Sequence, residues 1–428
     1  MLVWVMLMLT GIKVTVYNNN LGVIKETREF EFKKGVQEVR FTDVAAKIDP
    51  TSVSFEAKDV EILEQNYEYD LVSHDKLFQK YIDKEITVYT KEGIEHGKLL
   101  AYEGGVITLQ TEKGVVTLQV NATQKVEFPS LPEGLITRPT LVWLVDARSS
   151  GKRKGTITYM TEGLWWRANY VGILSKGEKK LDFGGWVTIT NRSGATYKDA
   201  KLKLVAGEVH RVAKGVPPRP VAEVVEFEKA APRFEERTFF EYHVYDLKGT
   251  TTIKDNQEKQ IMFVTPRDVT VNKVYTYEGG RNAKVKLEFQ NSKQNGLGIP
   301  LPAGVVRIYR EDVDGSLEFI GEDAINHIAK DEKVRLYLGD AFDIVGERKL
   351  INRRKLDRNM REESWQIVLR NHKEEDVEVR VIERLYGYWE IIEASDAYTK
   401  LDAYTVEFKV KVPADGEKKI NYTVLYRW

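Results

Sequence analysis

The side chains that could do chemistry in this chain are few and poorly spaced for it. There are six histidines, at 74, 96, 210, 243, 327 and 372, and no cysteine. No two histidines have metal-ligand spacing, and a His-Glu-x-x-His helix motif is absent. Without cysteine there is no thiol nucleophile, no thiolate metal site and no disulfide. Neither a Gly-x-Ser-x-Gly elbow nor a phosphate-binding glycine loop occurs. Asp312-Val313-Asp314-Gly315-Ser316 has calcium-loop residues but no glutamate at the required distal position, so it reads as a hairpin turn. No residue is therefore assigned to catalysis, to a metal or to a cofactor, and the expected reading is non-enzymatic. Carboxylates that pair only in space stay open, and with them a glycosidase-like reading.

Two groups could bind rather than react. The aromatics Trp165, Trp166 and Tyr170 could stack on a sugar or a base, or fill a sandwich core, and the core reading is the commoner use of such residues. The stripe Lys349 to Arg361 carries Arg353, Arg354 and Arg358 and could meet phosphates. It has no aromatics between its cations, and Glu347, Asp357, Glu362 and Glu363 flank it. That pattern favours a solvated β-edge or a salt-bridged hairpin. These six residues form the candidate binding surface.

The elements that would position them are strands. One phrase occurs three times: apolar residues four and two places before an Asn, then a polar turn. The copies are Val187/Ile189/Asn191, Leu287/Phe289/Asn291 and Ile367/Leu369/Asn371. Alternation puts each apolar pair on one strand face, and the Asn can bond the backbone of its own turn. The three Asn lie 100 and then 80 positions apart, about the length of an immunoglobulin-like sandwich. Half-buried alternation also marks Ile12/Val14/Val16, Phe30/Phe32, Val39/Phe41 and Val53/Phe55. Trp186, Trp365 and Trp389, each in an alternating strand, are expected to be core anchors.

Between these runs, Ser73 caps a short helix with an apolar stripe at Leu77, Phe78, Tyr81 and Ile82. Five short, tightly turned strands follow before the prolines of 129–139. The expected fold class is all-β, with serial immunoglobulin-like sandwiches and an inserted Sm/SH3-like small barrel. The expected boundaries are 1–71 with 129–210 for a discontinuous N-terminal sandwich, and 72–128 for the inserted barrel. A Pro-, Glu- and Ala-rich linker covers 211–238, a middle sandwich 239–344 and a C-terminal sandwich 345–428.

Composition limits partners. With 65 basic and 65 acidic residues the net charge is zero, so no global field draws nucleic acid or an anionic membrane. Inside 72–128, Glu92, Glu103 and Glu112 alternate with lysines, which argues against RNA there. Charged residues at 30%, rich in Lys and Glu and without Cys, hint at a thermophilic source. Met1–Leu9 is apolar but far short of the roughly twenty residues of a membrane span. It reads as a signal remnant or as a first strand.

Four segments resemble a known family. They are Val16-Tyr17-Asn18 through Val53, Gly163-Leu-Trp-Trp-Arg-Ala-Asn-Tyr170, Trp186 to Gly207, and Pro300-Leu-Pro-Ala-Gly-Val-Val-Arg307. They are similar to the mucoidy-inhibitor-like proteins, a β-rich family with a domain of unknown function. Members commonly carry a secretion signal, so the resemblance implies export, and it brings no catalytic residues. The expectation is a structural or adhesive interaction protein of the cell envelope or exterior, with a protein partner, itself or an envelope component. Two alternatives remain, with a cytoplasmic location open: peptide or RNA binding through the small barrel, and carbohydrate binding or processing.

Overall fold

A computed structural model describes residues 9–207, 234–239 and 242–428. They form strands almost throughout, in several sheets, none of them closed into a barrel. The expected all-β class is what the chain adopts. Two compact units divide the chain: Met1–Trp165 with Thr190–Lys203 and Gly249–Gln257, and the remainder.

In the first unit, Leu9–Tyr17, Gly22–Phe32, Gly151–Thr161 and Ile48–Ala57 are consecutive neighbours in one sheet. Gly35–Thr42, Thr140–Ala147 and Val60–Glu68 make a second. Large aromatics join the two faces. Phe55 stacks on Trp143 at 4.8 Å between centroids, and Phe30 meets Phe55 edge-on at 5.4 Å. Trp143 is buried, and its indole N–H donates to Gln65 Oε1 at 2.9 Å, so its one polar atom is satisfied. Ile12, Val14 and Val16 point into this core, as their alternation requires. Residues 1–8, the bulk of the apolar start, lie outside the described residues.

Residues 74–127 hold a core of their own. Ser73 Oγ accepts the Lys76 N–H, and the helix His74–Lys80 buries Phe78 against Ile86, Val88, Leu99, Ile107 and Leu109. The five strands run in the order Lys125–Glu127, Glu85–Tyr89, Ile94–Glu103, Val106–Thr111, Gly114–Gln119, and the two outer strands do not pair. Gly97 lets the strands cross closely, since a Cβ there would lie 2.4 Å from Gln110 O.

The second unit holds a five-stranded and a nine-stranded sheet. In the five-stranded sheet Leu164–Leu174 runs parallel to Gly304–Glu311. In the nine-stranded sheet the strand Lys333–Asp357 pairs Asn282–Gln290 up to Val345 and Met360–Asn371 from Ile344 onward. It passes without a break through the boundary expected at 344/345, so residues on either side of that boundary share one sheet. Alternation continues through this stretch, and it is alternation that sets pairing. The expected linker 211–238 lies outside the described residues up to 233. Its last residues belong to the strand Phe234–Phe239, which pairs with Tyr242–Leu247.

The repeated Asn is the recurring fastening of this fold. Asn191, Asn291 and Asn371 are buried, with their apolar pairs buried beside them. Asn371 Oδ1 accepts the Lys373 N–H at 3.0 Å. Its Nδ2 donates to Glu375 O at 2.8 Å, Pro413 O at 3.0 Å and, more weakly, Val412 O at 3.4 Å. Asn191 repeats the pattern, accepting from Ser193 N and donating to Ala195 O, Ile253 O and Lys254 O. In Asn291 the acceptor contact comes from Gly298 N, and the donor contacts go to Ile299 O and Ala329 O. One amide thus closes its own turn and ties it to the end of a distant segment.

Asn371→Ala would leave these carbonyls and the Lys373 N–H without the Asn amide and is expected to cost roughly 3 kcal/mol. Urea denaturation checks this. A loss below about 1 kcal/mol would show that water replaces the amide freely.

Candidate functional site

The basic stripe folds as a hairpin, Lys333–Asp357 turning at Arg358 into Met360–Asn371. Gly416–Arg427 pairs on the far side of the hairpin, and Tyr388–Ala394 pairs beyond that. The result is a four-stranded ribbon. Its lower rows carry Ile344, Ile367, Leu369 and Ile420 into the core. In its upper rows Tyr422 and Val424 still belong to the core, whereas on the basic strand Glu347 and Arg348 are half-buried and every residue from Lys349 to Asp357 is exposed.

Polar groups enter beside core residues in the upper rows. Arg348 lies over the Trp365 ring at 3.4 Å and pairs with the buried Glu383 at 2.8 Å. Tyr422 O–H donates to the same carboxylate. Burial works against the Arg348 charge, but Glu383 and Tyr422 more than restore it, and its pKa rises above the ordinary arginine value. Burial first, then Glu383, pushes the Tyr422 hydroxyl far up, so it stays protonated as a donor. Gly346 makes room below, since a Cβ there would lie 2.0 Å from the Tyr277 ring.

One row higher, the buried Glu363 sits between two guanidiniums. Its Oε1 lies 2.8 Å from Arg353 Nε and 3.0 Å from Arg361 Nε, at angles that close no hydrogen bond. Arg361 also faces Tyr426 and Trp428 at 5.2 and 5.5 Å. Arg354 pairs loosely with Glu362 at 3.6 Å. Lys355 and Arg358 have no carboxylate in ion-pair range among the described residues. The buried carboxylates of Glu383 and Glu363 each lie against at least one guanidinium. Among the described residues no group of three His, Cys, Asp or Glu could hold a metal.

The six candidate residues separate into two places. Arg353, Arg354 and Arg358 share the exposed hairpin. Trp165, Trp166 and Tyr170 lie on the strand Leu164–Leu174 of another sheet. Trp166 and Tyr170 are buried and donate to Val205 O and Pro302 O, so they are core residues with satisfied polar atoms. Trp165 is half-buried under Arg192. Trp186, Trp365 and Trp389 are half-buried, and Trp365 and Trp389 pack against the core of the nine-stranded sheet. Trp365 and Trp389 also carry Arg348 and Lys400 on their faces.

The stripe does have aromatics between its cations. They come from neighbouring strands, as Trp365, Tyr426 and Trp428, so reading the stripe by itself missed them. The alternation Tyr422/Val424/Tyr426/Trp428 was the available signal.

A match to a domain of unknown function, DUF4139, covers residues 156–428. The chain belongs to the DUF4139 family. No curated protein matches the chain. The DUF4139 region contains the whole ribbon and all three buried Asn. No helix among the described residues is long and apolar enough to cross a membrane.

Glu347 takes Lys349 at 2.8 Å and Arg370 at 3.2 Å, and the Lys349 hydrogen bond leads in holding its carboxyl below the ordinary value. A depressed folded pKa adds stability that is complete above the ordinary value and is lost as pH falls through the folded one. Glu347→Gln should therefore lower stability at neutral pH and flatten the acid limb, so that the two stability–pH curves converge at low pH. An unaltered acid limb in chemical denaturation at pH 3 to 7 would contradict the pairing.

Proposed function

We propose that this DUF4139 protein is a non-enzymatic structural or adhesive interaction protein of the cell envelope or exterior, able to assemble with itself or with an envelope component. The observation that carries the reading is the ribbon. Among the described residues its basic strand is paired on one side only from Glu347 to Asp357. An open, unpaired strand edge is a ready template for another chain. Below it, the ion pairs at Glu363 and Glu383 brace the ribbon.

We read the larger β-regions as immunoglobulin-like sandwich modules of about the length set by the spacing of the Asn phrases, the middle and C-terminal ones sharing the nine-stranded sheet across 344/345. The joined faces around Trp143 and the matching fastenings at Asn191 and Asn371 support this. The mucoidy-inhibitor-like resemblance of the N-terminal segments belongs to the same proposal, as does export.

Residues 72–128 we read as an Sm/SH3-like small barrel. Support comes from its N-terminal helix, from a last strand that pairs with the first, and from the 3-10 turn Val120–Ala122 before that last strand. A peptide-binding role through this barrel is the second reading.

The test is a photo-crosslinking residue at Ile351, an exposed edge position, in cells that express the full chain. A discrete adduct, with itself or with an envelope polypeptide, is expected in the envelope or secreted fraction. Absence of any adduct, with the protein wholly in the cytosol, would overturn the reading.

A further inference from the structure

The ribbon has two open edges, and they carry opposite charge. One is the distal part of Lys333–Asp357, where Leu350–Asp357 bears Arg353, Arg354 and Lys355 against a single Asp357. Gly346 N–H still donates outward, to Arg281 O at 2.8 Å. Above it, no described strand pairs that side. The other edge is Tyr388–Ala394, outermost in the nine-stranded sheet, with Glu390 and Glu393 and no cation.

The two edges stand at the same height. Register across the ribbon runs Glu390–Leu425–Glu362–Arg354, and the next row is Ile391–Val424–Glu363–Arg353. The row above is Trp389–Tyr426–Arg361–Lys355. Members of a row share a sheet face. The strand directions also agree. Each of the three pairings is antiparallel, so the two edge strands run in opposite directions. A copy displaced sideways in the same orientation would set opposite-running strands side by side, and the antiparallel pattern would continue. Glu390 of one copy would then meet Arg354 of the next on the same face.

We infer that the acidic edge Tyr388–Ala394 of one copy pairs with the basic edge Leu350–Asp357 of the next, so that copies extend one sheet head to tail. The inference rests on the interaction reading above and gives it a partner, a second copy of this chain. Pairing of like edges is disfavoured, since two basic edges would oppose Arg353, Arg354 and Lys355 with one another. The contact is therefore heterologous, and a heterologous contact that does not close builds an open chain of subunits. The basic edge has bulge residues at Ile351 and Leu356 and the acidic edge has one at Ile392, all three exposed. Bulges discourage pairing with an arbitrary flat strand, and charge and register then select the matching edge.

Sedimentation velocity of the full chain over a concentration series at low salt tests this. Wild type should form growing assemblies that dissociate in high salt. Arg354→Glu and Glu390→Arg should each weaken association roughly tenfold or more. Mixing the two variants, or combining both changes in one chain, should restore it, and that restoration shows that the single variants still fold. A wild type that stays monomeric at every concentration overturns the inference. If Ile351 then still crosslinks to another envelope polypeptide, the interaction reading survives and only the self-partner fails. Assembly that is unchanged in both single variants also overturns the inference, because the contact then lies elsewhere.

Discussion

A β-protein must end its strands without stranding buried backbone groups, and here one side-chain amide does that work three times. A buried carbonyl or N–H without a partner costs on the order of 1–3 kcal/mol. Asn has a donor and an acceptor on a short stem, so it can satisfy its own turn and a second segment together. At Asn371 the second segment is Val412–Pro413. That residue also pairs with Ile344 on one side and Gly416 on the other. It stands at the foot of the ribbon, and the direction of all that projects above depends on it.

Above that foot polar groups enter the inner face beside core residues such as Tyr422 and Val424. An isolated charge there would be poorly solvated. The chain pairs each charge and lays it against a ring. Arg348 spreads over Trp365 while its guanidinium holds Glu383, and Arg361 covers Tyr426 and Trp428 while facing Glu363. Guanidinium suits this because it stacks on rings and pairs with carboxylates at once. The ribbon is thus stiffened by side chains that leave its two backbone edges untouched. Those edges are what the functional proposal uses.

Strand existence was legible wherever residues alternate, as at Ile12/Val14/Val16 or Ile367/Leu369, because period two is a local property. The importance of Asn191, Asn291 and Asn371 was legible too, though not their distant partners. Three things were hidden. Continuous alternation through Val345 conceals that the strand changes partners there. The aromatics beside Arg348 and Arg361 sit on other strands or beyond them. The match in height between Glu390 and Arg354 depends on bulges at Ile351 and Ile392, which no local pattern announces. Trp365 and Trp389 were legible as facing the core, against which both pack, but the cations on their faces come from elsewhere in the chain.

Hydrogen exchange on the full chain, followed strand by strand at two protein concentrations, tests the central claim that this is a braced ribbon with two usable edges. In dilute protein at high salt, amides of Met360–Asn371 and Tyr422–Arg427 should exchange slowly, because both sides of each segment are paired. The outward amides of Leu350–Asp357 and Tyr388–Ala394 should exchange fast, and should slow together when the protein is concentrated at low salt. Edges already protected in dilute protein, or edges whose exchange never depends on concentration, would contradict the account.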